Sequence, residues 1–555
     1  MNCNRIVAFS TAALATLACG WAQHCAPATQ NGPVLTDTVF RAGQASGEGE
    51  CNTDQTVCSP ITATINVTRV VGQVNDDGTL VNPNALIQNG VVAANAYLNV
   101  GAGGFFAANF AISVTFNGQP IGGPHVVSTV YGLLDGGQVP GQGGGGGGCY
   151  EVPIQYVHFA TRNPGGAPTP GVNTVVVTIT AVPELSSPFT YPSPIGPCDD
   201  CSLSYGAGTL SIQAMAPVVL VHGWNAGPWV WGPTPANSDI CPVNPKNLND
   251  GGQNFVQALI DTGVPFDCTV TIDPQISSIQ GGLALGNKLT TILNGFGTRH
   301  VNLVAHSKGG LFARGFLQYN ALSDPTTQIG VVSLTTLDTP HHGSVLADTI
   351  VAFNNSLFTG FVGAALQAFQ SFSFLRLGAN DLTVAGVRAF NDAFLQPPPQ
   401  FTLLDSNGNQ SVTTPCYYST SANADLDGNG SISTAEAKPY TQLFGNLSYN
   451  IIARGKPVNV VQAAGLLHAD TSSIPNGPIL NDLLVSIPSA QYIKFTEISS
   501  FVGANGRNHQ TIRCGQQATE QAPWCASTSD IAPLVLHQIS IAESSQPAGC
   551  SPPAQ

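Results

Sequence analysis

The chain has 555 residues, a formal net charge of −14, and only 9% charged against 43% hydrophobic residues. That length exceeds one ordinary domain and predicts two, with apolar content sufficient for packed cores. The net acidity argues against nucleic acid or any other polyanion as a partner.

The first element is an export signal. Arg5 precedes an apolar run from Ile6 to Ala18, then Gly20-Trp21-Ala22. The run is too short to span a bilayer, so residues 1–22 read as a secretory signal cleaved after Ala22. Lipid attachment at Cys19 is the alternative, for which Thr16-Leu17-Ala18 is a poor match. No later segment reads as a membrane helix, and the expected location is extracellular or periplasmic. Of 14 cysteines, 12 remain once Cys3 and Cys19 leave with the signal. An even number in an exported chain predicts disulfides. Cys51/Cys58, Cys241/Cys268 and Cys514/Cys525 are plausible pairs, with connectivity open. Cys198 and Cys201 form a lone CxxC, weak support for zinc or redox chemistry.

Residues 23–200 read as an all-β, sandwich-like accessory domain. Alternating runs recur at Ile61–Val71, Ala96–Val100, Ala111–Phe116, Val152–Phe159 and Thr174–Val182, separated by turn signals such as Asp77-Gly78 and Asn117-Gly118. Gly143–Gly148 is a six-glycine tract that reads as a flexible loop. No motif here carries chemistry; the expected roles are contact with a surface or polymer, shielding of the second domain, or help in secretion. Pro183–Cys201 is rich in Pro and Ser, and residues 201–214 read as the linker. From residue 215 to 545 strands alternate with helices: strand Val218–Val221, helix Phe255–Thr262, helix Leu283–Phe296, strand 301–305, strand Val331–Leu337. This predicts a mostly parallel sheet flanked by helices. Residues 546–555 form a tail.

Within that domain, strand Val301–Ala305 runs into His306-Ser307-Lys308-Gly309-Gly310 and then a helix. A serine between strand and helix, with small residues (Ala305, Gly309) two places either side, fits a nucleophile elbow. The turn lifts the hydroxyl above the sheet and aims the following amides at a developing oxyanion. The Val218–Val221 strand ends in His222-Gly223-Trp224, the place where a loop supplies a second oxyanion amide in α/β-hydrolases. Trp224 and Lys308 are therefore the candidate oxyanion-hole donors through their N–H groups.

Together with Asp338-Thr339-Pro340-His341-His342-Gly343-Ser344, these runs make residues 215–545 resemble the secreted bacterial triacylglycerol lipases of the α/β-hydrolase fold. A serine hydroxyl needs a histidine base, and the base needs an orienting carboxylate. Histidines after Ser307 include His341, His342, His468, His509 and His537. His509 follows a predicted strand (Tyr492–Ile498) and lies in Asn508-His509, where the resemblance puts the family's catalytic histidine; His537 reads as structural, in the closing helix. For the acid, Asn481-Asp482-Leu483-Leu484-Val485-Ser486 resembles the family's Asn-Asp-x-x-Val-Ser segment and implies Asp482. Asp338, at the end of the strand after the nucleophile helix, is the main rival, and Asp470 a lesser one.

The stretch 345–399 is apolar, helix-like and rich in Phe. It reads either as core helices or as a lid over the serine, and the resemblance favours the lid. A second motif, Asp425-Leu426-Asp427-Gly428-Asn429-Gly430-Ser431-Ile432-Ser433-Thr434-Ala435-Glu436, matches the twelve-residue EF-hand loop. Asp425, Asp427, Asn429, Ser431, Ser433 and Glu436 would ligate a structural calcium ion. The lipases usually carry an aspartate calcium ligand two residues after the histidine; here that position is Thr511, which leaves the 425–436 loop as a separate clamp.

The reading is an exported serine carboxylic-ester hydrolase, a triacylglycerol lipase acting on lipid or ester substrates. A short-chain esterase or polyester depolymerase is the alternative within enzymes. A non-catalytic surface-binding protein on a hydrolase scaffold is the alternative outside them.

Overall fold

A computed structural model of the chain describes residues 39–40, 45–49, 60–104, 110–121, 125–127, 148–163, 165–181, 203–224, 226–231, 255–322, 327–344, 347–348, 351, 379–393, 403–404, 410–411, 418–423, 437–442, 448–452, 456–458, 479–481, 498–502 and 531–544. The chain divides into two compact units, Met1–Ala214 with Ala554–Gln555, and Met215–Pro553.

The first unit contains two antiparallel sheets. Its strands are β1 (Val39–Phe40), β2 (Ala45–Gly49), β3 (Ile61–Val67), β4 (Asn95–Gly104), β5 (Phe110–Phe116), β6 (Gln119–Pro120), β7 (His125–Val127), β8 (Gly148–Pro153), β9 (Gly171–Ala181) and β10 (Leu203–Ser211). One sheet runs β1-β10-β4-β8 with β2 also on β10; the other runs β3-β9-β5-β6 with β7 on β5. Period-two burial is clean in β3, where Ala63, Ile65 and Val67 are buried and the residues between them exposed. A short helix, α1 (Pro83–Gln88), lies between β3 and β4.

Several strand limits differ from the sequence expectation. Strand β3 stops at Val67. Strand β8 stops at Pro153 and gives way to a 3-10 turn, Ile154–Tyr156. The linker expected at 201–214 contains β10, which pairs antiparallel with β1, β2 and β4. Gly206 and Gly208 lower its intrinsic strand preference; pairing on both edges supplies what the local sequence lacks.

The second unit is built on a six-stranded sheet. Its strands are β11 (Val218–Val221), β12 (Phe266–Asp267), β13 (His300–His306), β14 (Gly330–Leu337), β19 (Ser448–Ile452) and β22 (Ile498–Val502). The order is β12-β11-β13-β14-β19-β22, with every neighbouring pair parallel. Between β14 and β22 three two-stranded hairpins intervene: β15 (Leu403–Leu404) with β16 (Gln410–Ser411), β17 (Tyr418–Asn423) with β18 (Ala437–Gln442), and β20 (Lys456–Val458) with β21 (Ile479–Asn481). Every residue of β11, β13 and β14 is buried, as expected of parallel strands covered on both faces.

Helices α2 (Phe255–Thr262), α3 (Ser278–Phe296), α4 (Lys308–Leu322), α5 (Val384–Ala393) and α6 (Ile531–Ser544) accompany the sheet. Val219, Val221, Leu285, Leu289, Leu303, Phe312, Phe316 and Val331 form the main core between sheet, α3 and α4. Truncating Leu303 to Ala there would cost about 2–5 kcal/mol. Helix α3 begins five residues before the expected Leu283. Ser277 caps it, its hydroxyl accepting from the Gln280 N–H at 3.2 Å. Gly281 and Gly282, the fourth and fifth residues of the helix, obscure the helix signal, yet close packing requires them. A Cβ on Gly282 would come 2.5 Å from the Gly315 carbonyl carbon of α4. Strand β22 (Ile498–Val502) overlaps the predicted Tyr492–Ile498 at Ile498, residues 492–497 lying outside the described residues, and β19 has no counterpart in the sequence reading. Among the described residues no helix is long and apolar enough to cross a membrane.

At the amino end of the parallel strands a buried carboxylate closes the unit. The Glu543 carboxylate of α6 accepts from the Ala216 N–H at 2.8 Å and from Asn302 Nδ2 at 2.7 Å, and Asn302 Oδ1 accepts from Ser333 Oγ at 2.6 Å. A buried charge is tolerable only with such partners.

Candidate active site

Ser307 follows β13 directly and α4 begins at the next residue. Its φ is +55°, a left-handed backbone that serine seldom adopts. The conformation is held from several sides. The Ser307 N–H donates to the Leu337 carbonyl at 2.9 Å, and the Gly310 N–H donates to the Ser307 carbonyl at 3.0 Å. Strand β11 continues into His222-Gly223, which runs against the serine. A Cβ on Gly223 would lie 2.6 Å from Ser307 Cβ and 3.2 Å from Lys308 N; one on Gly309 would lie 2.6 Å from the carbonyl oxygens of Val221 and His222. Glycine at both positions is therefore a packing requirement of the elbow.

The two candidate oxyanion donors flank this crossing in the chain, Lys308 after Ser307 and Trp224 after Gly223. Lys308 opens α4, in the first turn, where backbone N–H groups point out of the end of a helix. The Trp224 N–H belongs to the peptide bond that follows Gly223. That peptide is oriented by His222, buried at 1% exposure. The Ile272 N–H donates to His222 Nε2 at 3.2 Å, so Nδ1 carries the proton and donates to the Gly223 carbonyl at 3.0 Å. In a trans peptide the N–H points opposite to the C=O, so this bond also sets the direction of the Trp224 N–H. The Trp224 side chain is half-buried, with Nε1 donating to Gln275 Oε1 at 3.4 Å, and it packs against the cluster formed by Leu311, Ala347, Leu382, Val387 and Phe390.

Asp338 follows β14 immediately, with φ +46° and 2% exposure. Leu337, whose carbonyl holds the Ser307 N–H, is its neighbour. The next histidine, His341, is buried completely: Nε2 lies 3.3 Å from Thr336 Oγ1 and Nδ1 3.5 Å from an Arg314 guanidinium nitrogen. Burial first, then the Arg314 and His342 charges, hold its pKa well below 6.5. Arg314 also donates to Asn391 Oδ1 at 2.9 Å, and Asn391 Nδ2 donates to the His341 carbonyl at 3.1 Å. His537 lies exposed on α6.

Ser307 and Lys308 are thus brought against Gly223, the residue that precedes Trp224. Asp482 and His509 lie outside the described residues, as do Asp425, Asp427, Asn429, Ser431, Ser433 and Glu436. So does most of the stretch 345–399, apart from 347–348, 351 and 379–393. Among the described residues no group of three or more His, Cys, Asp or Glu side chains could hold a metal ion.

Sequence reading missed Asp381. It lies in a 3-10 turn, Asn380–Leu382, within the apolar stretch, and no spacing pattern links it to a residue 73 positions earlier. Its Oδ2 is 3.5 Å from Lys308 Nζ and accepts from the Ser278 N–H at 2.6 Å. The one visible cue is that Asp381 is one of three acids, with Asp348 and Asp392, in the mostly apolar 345–399 stretch.

No protein-family model matches the chain, and no curated protein matches it. Distant structural similarity to bacterial lipases covers about half of it. A Bacillus licheniformis lipase in its propeptide form is 18% identical with a TM-score of 0.31, over 54% of this chain and 47% of that one. The Staphylococcus hyicus lipase is 13% identical with a TM-score of 0.33, over 59% and 95%. Lipase 1 from Pelosinus fermentans is 15% identical with a TM-score of 0.30, over 59% and 98%. This chain therefore spans about half the length of the Bacillus protein. Similarity at this distance assigns no role to any residue.

Proposed function

We propose that the second unit is a serine carboxylic-ester hydrolase of the α/β-hydrolase kind, with acylglycerols as substrates. The observation that carries this reading is Ser307 itself: a serine at φ +55° between a buried parallel strand and a helix, with the Gly223 chain against its Cβ. Nothing in a plain strand–turn–helix joint calls for that strain at a serine, whereas a nucleophile elbow does.

In the proposed reaction His509 takes the Ser307 proton as the oxygen attacks the ester carbonyl. The N–H groups of Trp224 and Lys308 receive the oxyanion. His509 then protonates the departing alcohol, and water releases the acid in a second attack. Asp482 orients the imidazole and stabilises its charged form. Chain order supports this assignment, since Asp482 falls between β19 and β22 and His509 follows β22, as the Ser–acid–His order of the fold requires. A second reading of the acid rests on Asp338, at the end of β14 beside Ser307. Asp482→Asn and Asp338→Asn separate them: the true acid loses about 10⁴-fold in kcat, and the other variant keeps turnover.

The test of the whole reading is covalent labelling by an organophosphonate, with a panel of esters of increasing acyl length. Labelling at Ser307, lost in Ser307→Ala together with about 10⁴-fold or more of kcat, is the expected result. Labelling that survives the substitution would name a different nucleophile. A rate that jumps above substrate solubility supports a lipase with a lid in 345–399; smooth saturation supports the short-chain esterase or polyester depolymerase. Absence of labelling and turnover in the intact protein supports the surface-binding alternative, with the first unit making the contact.

We also propose that the 425–436 loop holds calcium. Strands β17 and β18 flank it and pair antiparallel down to Asn423 opposite Ala437, so an ion there would close a hairpin tip instead of linking two helices. Titrating calcium against the thermal midpoint should raise it, and Glu436→Gln should abolish the rise. Export is consistent with the disulfide made by Cys268.

A further inference from the structure

Lys308 carries a side chain that the oxyanion role does not use. The residue is 0% exposed, although it lies next to the proposed nucleophile. Its ammonium donates to the Ile276 carbonyl at 2.8 Å, lies 3.5 Å from the Pro274 carbonyl and 3.5 Å from Asp381 Oδ2, and stands 5.6 Å from the centre of the Phe312 ring. Burial lowers the Lys308 pKa, and the Asp381 and Asp273 charges oppose that shift. An apolar side chain of similar length would fill the space without desolvating a charge, so packing alone gives no reason for a lysine.

Asp381 is equally constrained. Besides facing the ammonium, its Oδ2 accepts from both the N–H and the hydroxyl of Ser278 in the first turn of α3. Its segment is fastened beyond that point. Leu382 accepts at its carbonyl from the Ser344 N–H at 2.8 Å, and the Val384 N–H donates to Asp348 Oδ1 at 3.1 Å. The ammonium thus ties residue 308 to the 274–276 turn and to the 380–382 turn, and through Asp381 to Ser278 at the start of α3.

We propose that Lys308 and Asp381 form a positioning pair that fixes the Lys308 N–H for the oxyanion, with Asp381 acting through the ammonium. The proposal rests on Ser307 being the nucleophile. Anchoring the tip of a four-carbon chain at three oxygens limits the freedom of its own Cα and amide. A displacement of about 1 Å at a reacting centre can cost about 10²-fold in rate, and oxyanion donors contribute only when they are preset.

The test compares Asp381→Asn, Lys308→Met, the double variant and Ser278→Ala in the full chain. The readouts are kcat and KM on a soluble short-chain ester, organophosphonate labelling rate, and thermal midpoint. Asp381→Asn keeps shape and an oxygen acceptor while removing the charge. The expected result is a fall in kcat of roughly 10- to 100-fold for each member of the pair, with KM held within about twofold. The double variant should lose no more than the worse single one, because the two residues act as a unit. Ser278→Ala should show the same kcat-only loss in smaller degree, and it serves if Asp381→Asn does not fold. A lowered midpoint with wild-type kcat would overturn the proposal and leave a structural clasp. So would a rise in KM at constant kcat, or losses that multiply in the double variant. Failure of the nucleophile reading looks different: the wild-type protein itself is then not labelled at Ser307.

Discussion

Four non-glycine residues among those described have positive φ, and they fall two to each unit: Asn82 and Asn117 in the first, Ser307 and Asp338 in the second. Asparagine is at home in the left-handed region. Asn117, with Gly118, makes the two-residue turn between β5 and β6, and both have positive φ. Its side chain then bonds inward, Nδ2 to the Tyr156 carbonyl at 2.7 Å and Oδ1 from the Thr174 N–H at 2.7 Å. The other pair sits at the carboxyl ends of adjacent parallel strands, β13 and β14, where open α/β sheets present ligands. In the first unit unusual backbone serves the turn. In the second it serves the direction in which a side chain points.

The largest effect is expected at the serine. Ser307→Gly should abolish turnover, a loss of about 10⁴-fold or more. It should also raise stability by about 1 kcal/mol, because glycine releases the left-handed strain and returns part of that gain as chain entropy. Denaturant titration checks this. An inactive variant that is no more stable than the parent would mean that φ +55° carries no strain, and that the contrast with the asparagines is empty.

Next in size is the space around the turns. Gly309→Ala places a Cβ 2.6 Å from two backbone oxygens, which should cost about 1–3 kcal/mol and part of the activity. Gly118→Ala meets nothing within 4 Å and differs only in its φ of +77°, so its cost should be about 1–2 kcal/mol with kcat unchanged. Equal activity losses at the two sites would remove the distinction between a turn that packs and a turn that presents.

These features differ in how far the sequence reveals them. The elbow is legible because its signals are local: a doubly buried apolar strand, small residues around a serine, and a helix that starts at once. Strands β11 and β14 read equally well, since parallel strands leave continuous apolar runs. Strand β10 does not, since its glycines hide a segment stabilised by partners on both edges. The start of α3 is hidden by Gly281 and Gly282, whose purpose is contact with α4. Lys308 with Asp381, and Arg314 with His341 and Asn391, join residues far apart in the chain, and no periodicity marks such pairs. For Asp482 and His509 the sequence offers order along the chain and likeness to a family, and both assignments stand as proposals.

Acid should separate the units further. Because the folded pKa of His341 lies well below 6.5, the unfolded chain binds a proton there that the folded one refuses. Its contribution is therefore complete above pH 6.5 and lost as pH falls below that value, by at most about 1.4 kcal/mol per pH unit. His341→Gln should flatten that part of the stability profile. A variant profile as steep as the parent's would place the acid sensitivity elsewhere.

The smallest effect is expected at Asn82, the counterpart of Ser307 in the first unit. It precedes α1 at φ 53°, is exposed, and makes no side-chain bond to the helix it caps. Glycine adopts that backbone freely and the side chain has no capping bond to lose, so Asn82→Gly should shift stability by only a few tenths of a kcal/mol. Asn82→Ala should cost about 1–2 kcal/mol, because alanine lacks asparagine's tolerance of the left-handed region. The same replacement by glycine thus silences one unit and leaves the other almost unchanged. That follows if left-handed backbone is common property of turns, and only the side chain it carries makes it chemical.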